Sequence, residues 1–175
     1  EPNFVYEIKK CGAEYMRTSN YWVFSKCDTK EEQILAKNLK IPSKIIKENN
    51  GCFFIDFKKE NTSSNYNSLN EKEKDRLTKQ IEATIYNKFT FLHLDDSRIM
   101  KKIKEGDFDN KLVIIDEVHN LVNSMTTGTV TGEFFYKFMM NSVNTKYVFL
   151  SGTPLINTVF ESSRLFNILR GYIPT

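Results

Sequence analysis

The sequence predicts an α/β fold, in which strands alternate with helices and a mostly parallel sheet carries helices on both faces. Short apolar segments rich in β-branched and aromatic residues alternate with longer segments of helical period. Two of the apolar segments, residues 112–115 and 147–150, end abruptly in polar motifs. About thirty residues separate the two motifs, which is the length of one strand–helix–strand unit. We therefore expect both motifs at the same edge of one sheet.

The elements of the amino-terminal half follow from apolar periodicity and from residues that begin or end helices. Predicted helices cover residues 3–11, a segment capped by Asp28 or Thr29 with Ile34, Leu35 and Leu39 on its apolar face, a short helix that Pro42 opens and that ends near residues 49–51, and residues 69–86, capped by Ser68. Predicted strands cover residues 21–24 and 52–57. The polar, asparagine- and serine-rich stretch at 58–70 is predicted to be an exposed loop inserted within one domain.

The carboxy-terminal half shows the same alternation. Predicted strands cover residues 89–94, 112–115 and 147–150. Predicted helices are a short basic one after Ser97, one from Asn120 to about Val122, an aromatic one at 133–141, and a last one that Asn157 caps, with Phe160, Leu165, Phe166 and Leu169 on its apolar face. A flexible loop is expected from Met125 to Gly132, because this stretch is rich in threonine and glycine.

Composition indicates a globular chain and leaves its partners open. The 175 residues are 40% hydrophobic and 13% aromatic, enough for a single domain covering residues 1–175. The formal net charge of +3 neither demands nor excludes a nucleic-acid partner. No apolar run approaches the length of a membrane helix, so no membrane partner is expected. The three widely spaced cysteines favour reduced thiols in an intracellular protein over a zinc site or a disulfide framework.

The strongest chemical signal is the pair of acids Asp116 and Glu117 at the end of the strand at 112–115. Ligands bind open α/β sheets outside the carboxyl ends of their strands. One or two carboxylates together with substrate phosphates are a usual way to hold Mg²⁺ there, and a second acid can activate a water. A purely structural interpretation is also open, in which a fully buried strand is followed by an acidic helix cap.

A second motif, from Ser151 to Thr153, follows the strand at 147–150. Its glycine lets the backbone turn tightly, and its hydroxyl groups can reach the acids of a neighbouring strand. Taken alone, it indicates only a strand followed by a turn. If the two strands are adjacent, the acids, His119 and these hydroxyls lie at one edge.

The ordered pair of motifs, Ile-Ile-Asp-Glu-Val-His-Asn followed by Leu-Ser-Gly-Thr-Pro, resembles motifs II and III of superfamily 2 helicases and translocases. Other segments resemble helicase-like ATPases of nucleocytoplasmic large DNA viruses, relatives of the poxvirus early transcription factor small subunit and its mimivirus-like homologues. These segments are residues 3–4, 7–12, 21–22, 108–111 and 166–173. The resemblance implies a three-layer αβα, RecA-like lobe of the P-loop NTPase class.

The resemblance also implies roles for five residues. Asp116 would bind Mg²⁺ and so the nucleotide, and Glu117, also near the metal, would polarise the attacking water. His119 would couple the nucleotide site to the second motif. Ser151 and Thr153 would relay the state of the bound ATP to a nucleic-acid groove. Phosphoryl transfer of this kind depends on positioning and charge neutralisation more than on covalent chemistry.

The sequence lacks a phosphate-binding loop of the form GxxxxGK[ST]. The chain thus corresponds to the part of a first lobe that follows such a loop, and alone it is expected to be inactive and to bind ATP weakly or not at all. The implied partners are a nucleic acid, DNA in preference to RNA, a second RecA-like lobe of the same parent chain, and viral transcription machinery. A viral origin would place it in the virion or the host cytoplasm.

Two other functions fit parts of the sequence. A degenerate, non-catalytic helicase-like module that binds a transcription or packaging partner would explain the missing phosphate loop. A Mg²⁺-dependent nuclease would need a further carboxylate beside Asp116 and Glu117, for which only Asp95 or Asp96 is available. Lys101, Lys102 and Lys104 fit either phosphate contacts or a solvated helix face.

Overall fold

A computed structural model describes residues 2–56, 63–153 and 159–170. The fold is mixed α/β, as predicted. The chain divides into two compact units, Glu1–Phe91 and Leu92–Thr175. Whether the chain forms the single domain expected from the sequence stays a prediction. In the described ranges, we find no helix that combines the length and the apolar character needed to cross a membrane.

Within residues 2–56 and 63–91, the first unit contains a two-stranded antiparallel sheet and four α-helices. The helices are α1 (Pro2–Cys11), α2 (Lys30–Asn38), α3 (Ser43–Asn49) and α4 (Glu71–Lys88). The strands are β1 (Trp22–Ser25) and β2 (Cys52–Ile55). They pair with Trp22 opposite Ile55 and Ser25 opposite Cys52. Both strands were predicted, but their antiparallel pairing departs from the mostly parallel sheet that was expected.

One core of the first unit lies between the sheet and α4. Leu77, Ile81 and Ile85 are fully buried on one face of α4, as their four-residue spacing predicted. They pack in one cluster with buried residues of the strands and of α1. The helix begins after Asn70 and not after Ser68, because Asn70 and Glu73 form a reciprocal capping box.

The outer edges of this small sheet are closed by two carboxamide side chains. Asn65 Oδ1 accepts from the Trp22 N–H and its Nδ2 donates to the Trp22 carbonyl, each at 2.8 Å. Gln80 does the same for Phe53 on the other strand, also at 2.8 Å for both bonds. Each side chain thus replaces a neighbouring strand. Part of the predicted exposed loop at 58–70 is therefore docked on the sheet, while residues 57–62 lie outside the described ranges.

The second face of the sheet is covered by α2, α3 and the turns beside them. Thr29 caps α2 in a capping box with Glu32, as one of the two predicted caps. Ala36, which is fully buried, is the α2 residue in the core. The prediction that Ile34 and Leu35 face the core is wrong, because their side chains are 59% and 40% exposed.

The predicted third strand at 89–94 is absent from the structure, where these residues follow α4 without a sheet partner. Aromatic packing occupies them instead. The Phe91 ring makes edge-on contacts with Phe4 and Tyr86, at centroid distances of 6.1 and 5.6 Å. A pattern rich in β-branched and aromatic residues indicates side chains suited to packing. A strand also needs a neighbouring strand to pair with, and this segment has none in the described residues.

In its described parts, residues 92–153 and 159–170, the second unit contains a parallel pair of strands and four α-helices. The helices are α5 (Ile99–Lys102), α6 (Val118–Thr126), α7 (Val130–Asn141) and α8 (Val159–Arg170). The strands are β3 (Leu112–Ile115) and β4 (Lys146–Phe149). They pair in parallel, with Ile115 opposite Phe149, as the sequence predicted. The predicted cap of α8, Asn157, lies outside the described residues.

The expected loop from Met125 to Gly132 is mostly helical. Met125 is fully buried in α6, and Thr129 caps α7 by accepting from the Gly132 N–H at 3.0 Å. A Cβ added at Gly132 would lie 2.2 Å from the Ser124 carbonyl oxygen, so glycine permits the close approach of α6 and α7. Threonine and glycine here serve a tight helix–helix corner and not a flexible loop.

The strand that precedes the two acids was expected to be fully buried, and that expectation is wrong. Leu112 and Ile114 are 60% and 40% exposed, while Val113 and Ile115 face the core with the helices. The predicted apolar face of α8 is also only partly buried. Leu165 is 8% exposed, whereas Phe160 and Phe166, named with Leu169 for that face, are solvent-exposed.

Candidate functional site

The two motifs lie at the same edge of the parallel pair, and backbone hydrogen bonds fix their relative position. The Leu150 N–H, just after β4, donates to the Ile115 carbonyl at 2.9 Å. The Val118 N–H then donates to the Leu150 carbonyl at 3.1 Å. The segment that carries Asp116 and Glu117 is thus held between these two bonds. No sequence signal indicated this bridge, because it uses backbone groups of apolar residues.

Asp116 and Glu117 form a sharp turn between β3 and α6. Glu117 has φ 49° and ψ 47°, in the left-handed region that is uncommon for residues other than glycine. The Asp116 Oδ1 atom accepts from the Glu117 N–H at 3.0 Å, which satisfies one backbone donor at the start of α6. Both residues are exposed. The turn therefore presents two carboxylates to solvent at the carboxyl end of β3.

His119 links the two motifs. Its Nδ1 atom lies 3.0 Å from Ser151 Oγ and 3.2 Å from Glu117 Oε2. When Nδ1 carries a proton, it can donate to the Glu117 carboxylate, and when it does not, it can accept from the Ser151 hydroxyl. The His119 side chain is 20% exposed, against 61% for Glu117. The imidazole thus offers two alternative hydrogen bonds, one to each motif.

The second motif continues the chain of polar contacts. The Thr153 N–H donates to Ser151 Oγ at 3.2 Å, which makes a local turn. A change in the orientation of the Ser151 hydroxyl therefore alters its hydrogen bonds with both His119 and the Thr153 N–H. The Thr153 side chain is exposed. The contacts that link Thr153 to Glu117 run from its backbone N–H through Ser151 and His119.

A small apolar cluster supports the site from below. Val118 and Val122 on α6 are each 1% exposed and pack with Leu165 on α8. The last residues of both strands, Ile115 and Phe149, are packed against this cluster. The beginning of α6 is thus fixed to both strands by packing and by the backbone bonds, so the turn at the acids has a rigid base.

The acids fit a hard cation that shares its coordination with a substrate. Carboxylate oxygens suit Mg²⁺, which is usually bound through one or two carboxylates together with substrate phosphates. In the described ranges, no three histidine, cysteine or acidic side chains converge where they could hold a metal ion by themselves. Asp96, a candidate third carboxylate for a nuclease, instead pairs with Lys102 and accepts from the Arg98 N–H.

The neighbouring lysine makes the Asp96 carboxyl more acidic. The hydrogen bond from Lys102 lowers the pKa of Asp96 to about 2, with a further contribution from the Arg98 N–H. Lys101 and Lys102 are exposed on α5, and the pairing of Lys102 with Asp96 offsets part of the positive charge that the sequence placed there. Both interpretations of the basic run, phosphate contacts and a solvated helix face, stay predictions.

Comparisons with known proteins show partial similarity to viral proteins. A protein of Acanthamoeba polyphaga mimivirus named as an ATP-dependent RNA helicase is 34% identical over 105 residues, covering 51% of this chain and 13% of that protein. A termination factor NPH-I homologue of African swine fever virus is 34% identical over 95 residues, with the same two shares. A second mimivirus protein named as an ATP-dependent RNA helicase is 42% identical over 62 residues, covering 35% of this chain and 5% of its own length.

No model of a protein family matches the chain, and no solved structure matches it. The chain spans 13% of the length of the first two relatives. The matches agree with the mimivirus part of the resemblance seen in the sequence. They support a helicase-like family relationship for this chain.

Proposed function

We propose that the chain is part of the first motor lobe of an ATP-dependent nucleic-acid helicase or translocase of viral origin. The observation that carries this proposal is the position of His119 Nδ1 between Glu117 Oε2 and Ser151 Oγ, at 3.2 and 3.0 Å. It joins a pair of solvent-facing acids to a hydroxyl-bearing turn on the neighbouring strand. A chemical site and a device that reports its state are what a nucleotide-driven motor requires.

Asp116 and Glu117 would have different roles in ATP hydrolysis. Asp116 would hold Mg²⁺ through its carboxylate, while its Oδ1 atom keeps the turn closed through the Glu117 N–H. Bound Mg²⁺ would neutralise charge on the phosphates of ATP. Glu117, whose side chain is 61% exposed beside the metal position, would orient and polarise the water that attacks the terminal phosphate.

The second motif would sense the nucleotide. When the Glu117 carboxylate binds the attacking water, the contact between Glu117 Oε2 and His119 Nδ1 would be lost. The Nδ1 atom could then form its hydrogen bond with Ser151 Oγ instead. Because Ser151 Oγ also accepts from the Thr153 N–H, that change reaches the backbone after β4. We propose that this backbone passes the nucleotide state to the bound nucleic acid and to a second RecA-like lobe of the same parent.

Replacement of Glu117 by glutamine in the full-length parent tests the chemical half of the proposal. Hydrolysis of ATP should fall by roughly 100-fold or more, because the water loses its general base. Binding of ATP should persist, because the metal ligand Asp116 remains. Glu133→Gln is the matched control, since Glu133 lies in the same unit but pairs with Arg164 at 3.2 Å. Undiminished hydrolysis by the Glu117 variant would overturn the assignment.

Replacement of Ser151 by alanine tests the coupling half. Basal ATP hydrolysis should change little, whereas stimulation of hydrolysis by nucleic acid should be lost. Thr145→Val is a suitable control, because the Thr145 hydroxyl donates to the Phe108 carbonyl, away from both motifs. Full stimulation in the Ser151 variant would show that the contact with His119 has no part in coupling.

The same assays distinguish the motor from a non-catalytic module, and DNA from RNA as the preferred nucleic acid. A parent that binds partners but never hydrolyses ATP would be the degenerate, non-catalytic module that binds a transcription or packaging partner. Stimulation measured with matched DNA and RNA strands distinguishes the nucleic acids. We propose DNA as the preferred strand, and stronger stimulation by RNA would reverse that assignment. Viral transcription machinery is the proposed setting, because one similar protein is named a termination factor.

A further inference from the structure

Two of the three cysteines stand at the base of the segment formed by α2 and α3. This segment, residues 28–51, leaves the sheet after β1 and returns at β2. Cys27 is the residue before it, and Cys52 is the residue after it. Both are free thiols, 6% and 0% exposed. The two ends of a folded excursion therefore each carry a buried cysteine.

The backbone brings these two residues together. Ser25 lies opposite Cys52 in the strand register, and Cys27 follows with a left-handed backbone, φ 58°. The Cys27 N–H donates to Ser25 Oγ at 3.1 Å, which holds the chain in this turn. A Cβ added at Gly51 would lie 2.9 Å from the Lys26 Cα, so the chain passes directly over the start of β2.

The two thiols share one buried cluster. Cys27 and Cys52 pack together with Ala36 of α2 and with Ile41, which precedes α3. Burial, followed by the hydrogen bond with the Cys27 thiol and by its proximity, raises the pKa of the Cys52 thiol. The two cysteines therefore lie in one pocket of apolar side chains.

We propose that Cys27 and Cys52 form a reversible modification site, a dithiol that a peroxide converts to a disulfide across the base of the α2–α3 segment. The geometry that carries this inference is the return of the chain over Gly51, which places the two thiols in one cluster. In the reduced protein the segment is held by non-covalent contacts, which include apolar packing and the hydrogen bond from Asn87 Nδ2 to the Lys40 carbonyl. In the oxidised protein its two ends are joined covalently.

The oxidation is balanced by one molecule of hydrogen peroxide. The Cys27 sulfur, the more exposed of the two, takes one peroxide oxygen as the O–O bond breaks, and this gives a sulfenic acid and one water. The Cys52 sulfur then attacks that sulfur. The S–S bond forms, the S–O bond breaks, and the hydroxyl leaves with the Cys52 proton as a second water. Each sulfur loses one electron, and the peroxide gains two.

The disulfide would change the behaviour of the excursion that it closes. A cross-link restricts the open states of the loop that it spans. Local opening of α2 and α3 should therefore become rarer, and their amide protons should exchange more slowly. Cys11 provides an internal contrast, because it is exposed on α1 and its Sγ lies near the Glu7 carbonyl at 3.1 Å, with no second cysteine beside it.

Peptide mapping of the native-sequence chain after treatment with hydrogen peroxide tests the proposal. We expect a species that is lighter by the mass of two hydrogens, in which the peptide that contains Cys27 is disulfide-linked to the peptide that contains Cys52. Dithiothreitol should reverse the cross-link. Modification of Cys11 in the same sample shows that the oxidant reached the protein. Amide exchange in α2 and α3 should slow several-fold in the oxidised form and return to its original rate after reduction.

Variants provide the matched controls. In a Cys11→Ser chain the cross-link should form as before, and in a Cys52→Ser chain the same treatment should give no cross-link and no slower exchange. The proposal is overturned if Cys11 is oxidised while Cys27 and Cys52 stay as thiols in the folded protein. It is equally overturned if the cross-links that form all involve Cys11.

Discussion

Replacing Gln80 by leucine is expected to reveal how much of the stability of the first unit depends on one carboxamide. Gln80 lies on the core face of α4 and is 3% exposed. Its Oε1 accepts from the Phe53 N–H and its Nε2 donates to the Phe53 carbonyl, each at 2.8 Å. Leucine has a similar size but offers neither group. The outer edge of β2 would therefore lose both partners in a buried position.

The magnitude follows from those two bonds. A buried backbone donor or acceptor that loses its partner costs about 1–3 kcal/mol. Two such groups are left unpaired at Phe53, while leucine removes the cost of burying the amide itself. We expect the free energy of unfolding to fall by about 3 kcal/mol, which is about half the sum of the two upper limits. Such a loss would lower the folding equilibrium constant roughly 100-fold.

Urea unfolding measured by circular dichroism provides the test. The midpoint should shift to lower urea while the slope m stays constant, because the surface exposed on unfolding hardly changes. Asn65→Leu is the matched control. Asn65 makes the same pair of bonds to Trp22, but at a part-buried position that water can reach. We expect that variant to lose only about 1 kcal/mol.

The comparison of the two variants decides whether burial sets the cost. Equal losses for Gln80 and Asn65 would refute the reasoning, because the bonds are alike in length and differ in burial. A loss below about 1 kcal/mol for Gln80→Leu would also refute it, since the buried groups of Phe53 would then have found other partners. A changed slope m would indicate altered compactness and not a lost edge contact.

Two further predictions concern the second unit. Gly132→Ala should destabilise the chain by about 1–3 kcal/mol in urea unfolding, because the added Cβ meets backbone atoms of α6. Gly152→Ala, where nothing lies within 4 Å, should leave stability unchanged, and an equal loss in both variants would contradict this account. Lys102 holds the pKa of Asp96 at about 2, below the usual 3.8. The ion pair between the two residues therefore stabilises the folded chain above about pH 4, and this stabilisation is lost as the pH falls towards 2. Asp96→Asn should flatten the pH dependence of stability in that window, and an unaltered acid profile would show that the ion pair contributes nothing.

The polar motifs were visible in the sequence because they interrupt apolar patterns. Asp116 and Glu117 follow a β-branched run, and Ser151 follows an apolar run with two aromatic residues, so their place at strand ends could be predicted from local order alone. Their mutual geometry could not. The contact of His119 with Ser151 depends on the parallel pairing of β3 and β4, which brings residues distant in the chain to one edge.

Some errors share one physical origin. The stretch at 89–94 has the composition of a strand, but a strand exists only where another backbone pairs with it. The segment from Met125 to Gly132 has the composition of a loop, but burial of Met125 and the close approach at Gly132 extend the helices on both sides. In both places, long-range packing overrides the local preference.

The sequence by itself determined the order of the α-helices and of the strands other than the one expected at 89–94, the core face of α4 through Leu77 and Ile81, and the residues at the two strand ends. These depend on helical and strand periodicity and on capping, which act over a few residues. Tertiary structure alone decided the antiparallel pairing of β1 with β2, the closure of the sheet edges by Asn65 and Gln80, and the packing of Cys27 and Cys52 in one cluster. Those features join residues far apart along the chain, and only the folded backbone sets the distances between them.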